Sequence, residues 1–380
     1  MNRRDFLTGA ATGLAAGAVG TYAVMKSRGP ETGPKTAKAP AISKGLKQWK
    51  MVTTWPEKFP GLGTGAERLA NRITAMSGGR LTVKVYAANT LVPAFGSFDA
   101  VSQGSVEMGH GASYYWQGKS KAANFFAAVP FGLTANELSA WIRYGGGQEL
   151  WDKVYGNFGV RSFLAGNTGT QMGGWFKKEI RSIEDFKGLK MRMPGLGGEV
   201  LRRIGATAVS LPGGEIFSAL QAGTIDATEW VGPWNDLAFG FYKLTKQYYW
   251  PGFHEPGTGI ESFVNKAAFE ALPQDLQAII TGACQAETEA MLADFNARNG
   301  AALATLINKH GVKLRRFPDD VLQALGKASE EVLDELESAD DLTKRTLASF
   351  RKFRKNAMGW SRLSDQGFLN MRYKALGAKG

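Results

Sequence analysis

The sequence predicts an α/β protein of two lobes with a helical C-terminal part. Strand-like and helix-like patterns alternate from Trp49 onwards, and a second alternating set begins near residue 160. After residue 273 the chain reads as a run of charged helices. With 380 residues, 44% of them hydrophobic and 21% charged, the chain is long enough for two globular units with real cores.

In the first set, "WKMVTTW" (49–55) reads as a strand. "GTGAERLANRITAMSGG" (63–79) has its apolar residues at helical spacing and stops at glycine. "LTVKVYA" (81–87) alternates cleanly, and "FGSFDAVSQGSVEMGHG" (95–111) reads as a short helix and a strand through Met108. This βαβαβ order predicts a parallel sheet with helices on its faces. In the second set, "VRSFLAG", "QMGGWF" and "GLKMRMPG" are strands, and "GGEVLRRIGA" (197–206) is a helix. "AVSLP", the helix "GGEIFSALQAG" (213–223) and the strand "TIDATEW" (224–230) follow. Residues 273–309, 318–339 and 341–356 are expected as helices.

The opening "MNRRDFLTGAATGLAAGAVGTYAVM" has paired arginines, Arg3 and Arg4, before a weakly apolar run. It resembles a bacterial twin-arginine export signal, expected over residues 1–26, with a flexible Pro/Gly/Lys linker over 27–44. The same start could also be a short amphipathic tail. Of the formal charge of +12, residues 1–40 carry +4, and the basic residues of the body are scattered. With no arginine run among aromatics, nucleic acid is not an expected partner. The single cysteine, Cys284, sits in a helical pattern and is expected to be a buried thiol, and no two of the three histidines share metal-ligand spacing.

"GLGTGA" (61–66) matches a dinucleotide fingerprint in letters only, because "PEKFP" separates it from the preceding strand and no acid ends the next one. It is expected as a helix-entry loop. Glu229 follows one strand and Glu255 another, where ligands of open α/β sheets bind. The pair could work as acid and base, hold a hard cation, or stand as solvated loop residues. In "GNTGTQMGGWF" (166–176), Asn167 and Gln171 offer amide oxygens suited to Na⁺ or Ca²⁺, or simply form a turn. Arg192 interrupts an apolar strand, so its guanidinium needs either a bound carboxylate or a protein acid. Tyr114, Tyr115 and Trp116 of "SYYWQGK" offer pocket walls or core aromatics.

"GNTGTQMGGWF", "GLKMRMPG", "GGEIFSALQAGTIDATEWVGP" and "YYWPGFHE", in that order, resemble the solute-binding proteins of TRAP transporters, the DctP-type family, and within it the branch for 2-oxo acids such as pyruvate. The resemblance implies a two-lobed periplasmic-binding-protein-like fold with hinge-crossing strands. Lobe I would take residues 45–165 plus about 230–265, and lobe II 166–229 plus about 266–317. Helices over 318–380 would serve as a dimerisation element. It implies that Arg192 grips a substrate carboxylate, and that Asn167, Gln171, Tyr114, Tyr115 and Trp230 line the substrate. A sodium or calcium ion would sit on Gln171, Glu229, the Trp230 carbonyl and Glu255. Trp116 and Gln117 depart from the longer tyrosine run of that branch and are expected to shape substrate size. The resulting expectation is a periplasmic receptor handing a small monocarboxylate to TRAP membrane subunits. The alternative is a periplasmic metal-dependent lyase or hydrolase using the paired acids.

Overall fold

The computed structural model describes residues 46–377, so the expected signal (1–26) and the linker (27–44) lie outside the described residues. The strands are β1 (Lys47–Thr53), β2 (Leu81–Tyr86), β3 (Met108–Gly111), β4 (Val160–Asn167), β5 (Gly174–Phe176) and β6 (Lys190–Arg192). They continue as β7 (Thr207–Val209), β8 (Ala227–Thr228), β9 (Gln247–Trp250), β10 (Gly259–Asn265) and β11 (Lys313–Arg316). They form two sheets, one ordered β2-β1-β3-β10-β4 and the other β11-β9-β5-β8-β6-β7.

Both sheets are mixed rather than parallel. In the first, β1 runs parallel to β2 and β3, while β10 is antiparallel to β3 and β4. In the second, β5 is antiparallel to β8 and β9, while β6 runs parallel to β7 and β8. The antiparallel strands are those by which the chain changes sheet. It passes from the first sheet to the second through residues 168–173 and returns through 251–258. Sheet membership therefore divides the chain differently from the lobes expected above: Gln247–Trp250 belongs to the second sheet, so the return comes after residue 250 and not near 230.

The two crossing segments run side by side. The amides of Thr168 and Gln171 donate to the carbonyls of Thr258 and Glu255, each at 3.1 Å, and the Gly252 amide donates to the Gln171 carbonyl at 3.1 Å. A Cβ at Gly252 would stand 2.4 Å from that carbonyl oxygen, so only glycine permits the approach.

The helix Gly63–Met76 turns Leu69, Ala70 and Ile73 onto β1 and the 37-residue helix Gln274–His310. The glycines of "GLGTGA" serve this packing: a Cβ at Gly65 would meet Met291 at 2.5 Å. Cys284 lies in the same core, fully buried, and burial pushes its thiol up to about 12. Helices Asp319–Glu335 and Asp341–Ser361 follow the expected pattern, and a further helix runs over Asp365–Leu376. No helix among the described residues is long and apolar enough to cross a membrane.

Candidate functional site

Strand β6 is flanked by β7 and β8 and is buried from Met191 onward, so a charge at position 192 must find partners inside the protein. Arg192 is 1% exposed. Its Nε donates to the Leu211 carbonyl at 3.2 Å, and Nη1 donates to Glu229 Oε1 and, at 3.4 Å, to the Glu229 carbonyl. Nη2 donates to the Tyr115 hydroxyl, at 3.4 Å. Of the two partners the sequence left open, the fold thus supplies the protein acid. Burial is the largest influence and works against the arginine's charge, but Glu229, with Tyr115, Tyr114 and Glu255 adding to it, together raise the pKa.

Strand β8 is shorter than the stretch 224–230 expected from alternation. It holds only Ala227 and Thr228, both buried because the strand lies inside the sheet. Glu229 and Trp230 follow its end directly. The two carboxylate oxygens of Glu229 then have different surroundings: Oε1 holds Arg192, whereas Oε2 is buried with no hydrogen-bond partner.

The two crossing segments bring the other polar groups to Glu229. Glu255 Oε2 accepts from Gln171 Nε2 at 2.7 Å and from the Thr258 hydroxyl. Gln171 Nε2 also reaches the hydroxyls of Thr168 and Thr258, at 3.1 Å each, and this leaves its Oε1 buried and without a partner. Burial, and then the charge of Glu229, raises the Glu255 carboxyl to about 7. His254 packs beside them, with Nε2 3.4 Å from Glu229 Oε2 and neither ring nitrogen in a hydrogen bond. One ligand atom from each of Glu229, His254 and Glu255 can be chosen so that all lie within 4.8 Å of one another.

Buried polar atoms without partners are rare in native proteins, and Glu229 Oε2, Gln171 Oε1 and both His254 ring nitrogens are among those in this protein. Carboxylate and amide oxygens are the donors that sodium and calcium prefer, so Gln171, Glu229 and Glu255 fit a hard cation. A cation would give Glu229 Oε2 and Gln171 Oε1 the partner they lack, and would offset the repulsion between the two acids.

Beside this cluster lies a tight cavity of about 10 Å³, room for one water, walled by Trp55, Tyr114, Tyr115, Gln171 and Trp230. The Trp230 ring lies 5.0 Å from the Arg192 guanidinium and edge-on to Trp55. A Cβ at Gly213 would stand 2.6 Å from that indole, so the bare helix start makes room for it. The Trp55 indole nitrogen donates to His110 Nδ1 at 2.8 Å, which fixes the wall from behind.

Three residues expected at the site are not among those walling the cavity. Trp116 is not a pocket wall, because its indole nitrogen donates to buried Glu261 at 2.6 Å and its ring packs on Phe98 and Phe263. Residues Ser113–Trp116 form a 3₁₀ turn, which brings Tyr114 and Tyr115 to the cavity and turns Trp116 into the core. Gln117, the other expected determinant of substrate size, is likewise not among the residues walling the cavity. Asn167 is held by backbone, accepting from the Gly169 amide at 2.8 Å and donating to the Gly257 carbonyl at 3.2 Å. It shapes the crossing and does not face the cavity. Sequence reasoning missed His254, Thr258 and Trp55. The "HE" pair in "FHE" was the only local signal for the first of these.

Residues 51–340 match the family model described as DctP, bacterial extracellular solute-binding protein, family 7. A monocarboxylate 2-oxoacid-binding periplasmic protein of Nostoc sp. is 42% identical over 97% of this chain and 98% of its own. A TRAP transporter solute-binding protein from Bordetella bronchiseptica superposes with a TM-score of 0.85 at 38% identity. The match covers 87% of this chain and 98% of that one, whose structure is described as a mixed-occupancy dimer with calcium and picolinate in one site and the other apo. A periplasmic TRAP solute-binding protein from Pseudoalteromonas atlantica, with sodium and pyruvate bound, gives 0.82 at 42% identity over 86% and 99% of the two chains. The two-sheet fold agrees with these structures, and an enzyme built on the paired acids finds no support among them. This chain belongs to the DctP family of bacterial extracellular solute-binding proteins, the receptors of TRAP transporters.

Proposed function

We propose that this receptor captures a small 2-oxo monocarboxylate such as pyruvate, or a 2-hydroxy acid such as lactate, together with a sodium or calcium ion. It then delivers the acid to the membrane subunits of a TRAP transporter. The observation that carries this reading is the pairing of one guanidinium with unpartnered cation-type oxygens beside a small aromatic cavity. Among the described residues Arg192 is the one buried lysine or arginine, so the site has a strong cationic partner for one carboxylate and not for two. The Nostoc relative and the pyruvate-bound structure point to the same ligand class. In this reading Tyr114, Tyr115 and Trp230 wall the acid, and Arg192 turns Nη2 towards its carboxylate. Gln171, Glu229, Glu255 and the Trp230 carbonyl would hold the ion, which would supply positive charge between the two acids and the bound acid.

Thermal unfolding against pyruvate, longer 2-oxo acids, lactate and C4-dicarboxylates, each with sodium, with calcium and with chelator, tests this. A ligand at about 1,000 times its Kd stabilises the native state by about 4 kcal/mol. A shift with a monocarboxylate that vanishes on cation removal is expected. A cation-independent shift, or a preference for dicarboxylates, refutes the reading.

Two further parts belong to the same proposal. The C-terminal helices Asp341–Ser361 and Asp365–Leu376 expose Met358, Trp360, Leu363, Phe368 and Leu376, a surface that fits a homodimer like that of the Bordetella relative. A monomeric mass by light scattering would exclude it. Export would use Arg3 and Arg4, and undiminished export after changing both to lysine would exclude the twin-arginine route.

A further inference from the structure

Strand β4, which ends at the crossing, has a second feature at its other end. Arg161 lies six residues before Asn167, about 20 Å back along the strand. Beside it a cavity of about 370 Å³ opens between β4, the end of the helix Ala135–Tyr144 and the helix Gln274–His310. Small-molecule pockets measure about 300–1,000 Å³. Buried Ile142, Phe163 and Leu164 give this one an apolar floor, and Arg143, Tyr144 and Arg161 stand around it. None of the ten residues that wall it is acidic. Among the described residues neither arginine enters an ion pair. Arg161 Nε is buried without a hydrogen-bond partner, and its guanidinium packs 5.3 Å from the Phe163 ring and 5.1 Å from the Phe269 ring. Those rings orient the group and leave its charge uncancelled. Arg143 donates from Nε to the Ser139 hydroxyl at 3.1 Å, again a neutral partner.

We propose that this cavity is a second ligand site, separate from the transport site, and that it takes a small organic carboxylate with an apolar body. A buried guanidinium nitrogen with no acceptor is costly, and a carboxylate supplies that acceptor in matching planar geometry. Two unopposed charges of one sign draw an anion in. The apolar floor then favours an anion with carbon to bury over an inorganic one. A second copy of this chain does not neutralise the arginines, because the C-terminal helices Asp341–Ser361 and Asp365–Leu376 each carry more basic than acidic residues.

Calorimetry with octanoate, octanol and inorganic phosphate as probes tests this, each titrated with and without saturating pyruvate and sodium. Octanoate is expected to bind once per chain with the same affinity under both conditions, and octanol and phosphate about tenfold or more weakly. Arg161→Gln and Arg143→Gln should each weaken octanoate binding by about tenfold or more, the share of one charge-assisted hydrogen bond, and leave pyruvate affinity unchanged. Arg143 is exposed, so its variant decides the matter if Arg161→Gln fails to fold. No octanoate binding, octanol or phosphate binding as tightly, displacement of octanoate by pyruvate, or octanoate affinity unchanged in Arg143→Gln overturns the proposal. A fall in mass by light scattering on adding octanoate also overturns it and assigns the cavity to a partner copy. None of these outcomes alters the reading of the transport site.

Discussion

The pairing of Arg192 with Glu229 makes the fold itself depend on the site. Both side chains are 1% exposed, and among the described residues Glu229 Oε1 is the only acid oxygen that Arg192 reaches. Replacing Arg192 by alanine leaves a buried carboxylate facing Glu255 without its counter-charge. Replacing Glu229 by alanine leaves a buried guanidinium with two backbone carbonyls and a hydroxyl but no counter-charge. Breaking one side of a buried pair typically costs about 3–5 kcal/mol, while removing both sides costs little more than removing one. The two changes should therefore couple by about 3 kcal/mol. Urea unfolding of the ligand-free wild type, Arg192→Ala, Glu229→Ala and the double variant measures this, since groups that do not interact add within about 0.5 kcal/mol. Additive losses would refute the account and make Arg192 a cleft residue with no structural load. The coupling also predicts that Arg192→Ala loses stability along with carboxylate binding, although position alone would assign it to binding.

Two other expectations are independent of that pair. Burial raises the Glu261 carboxyl to about 7 from an ordinary 4.5, against the opposing bonds from Ser162, Trp116 and Tyr155. The folded state then keeps a proton that the unfolded chain has released, so stability falls as pH rises from about 4.5 to about 7, by at most about 3 kcal/mol, and levels off above. Glu261→Gln should abolish its share of that slope, and a wild-type-minus-variant difference that is constant across the window would refute it. Gly252→Ala should force the crossing segments apart and weaken cation-dependent ligand affinity by about tenfold. Gly156→Ala, where a Cβ meets nothing within 4 Å, is the control, and equal effects in the two variants would refute the close-approach argument.

The parts of this protein that are legible in the sequence are those governed by local pattern. Alternation marks β1 and β2, and helical spacing with charged faces marks Gln274–His310 and Asp319–Glu335 nearly to the residue. Arg192 and Glu229 stand out because a charge inside an apolar strand and an acid at a strand end are locally anomalous. The antiparallel returns β9 and β10 leave no such mark, since a buried strand reads the same in either direction. His254 leaves no such mark either, because no other histidine stands at ligand spacing from it and its neighbour Glu229 arrives from another segment. Where Trp116 and Asn167 point is illegible for a related reason: sequence shows which residues are adjacent but not which way a turn aims them.

The 3₁₀ turn at Ser113–Trp116 bears on how such a receptor could be retuned. Within one turn Tyr114 and Tyr115 face the cavity, while Trp116 anchors the core through Glu261. A library that randomises 113–117 as a block would confound altered ligand preference with loss of folding. One that varies 114 and 115 and keeps the tryptophan explores cavity shape on a constant scaffold. The same separation lets natural drift at position 115 change which acid is carried while the anchor stays in place.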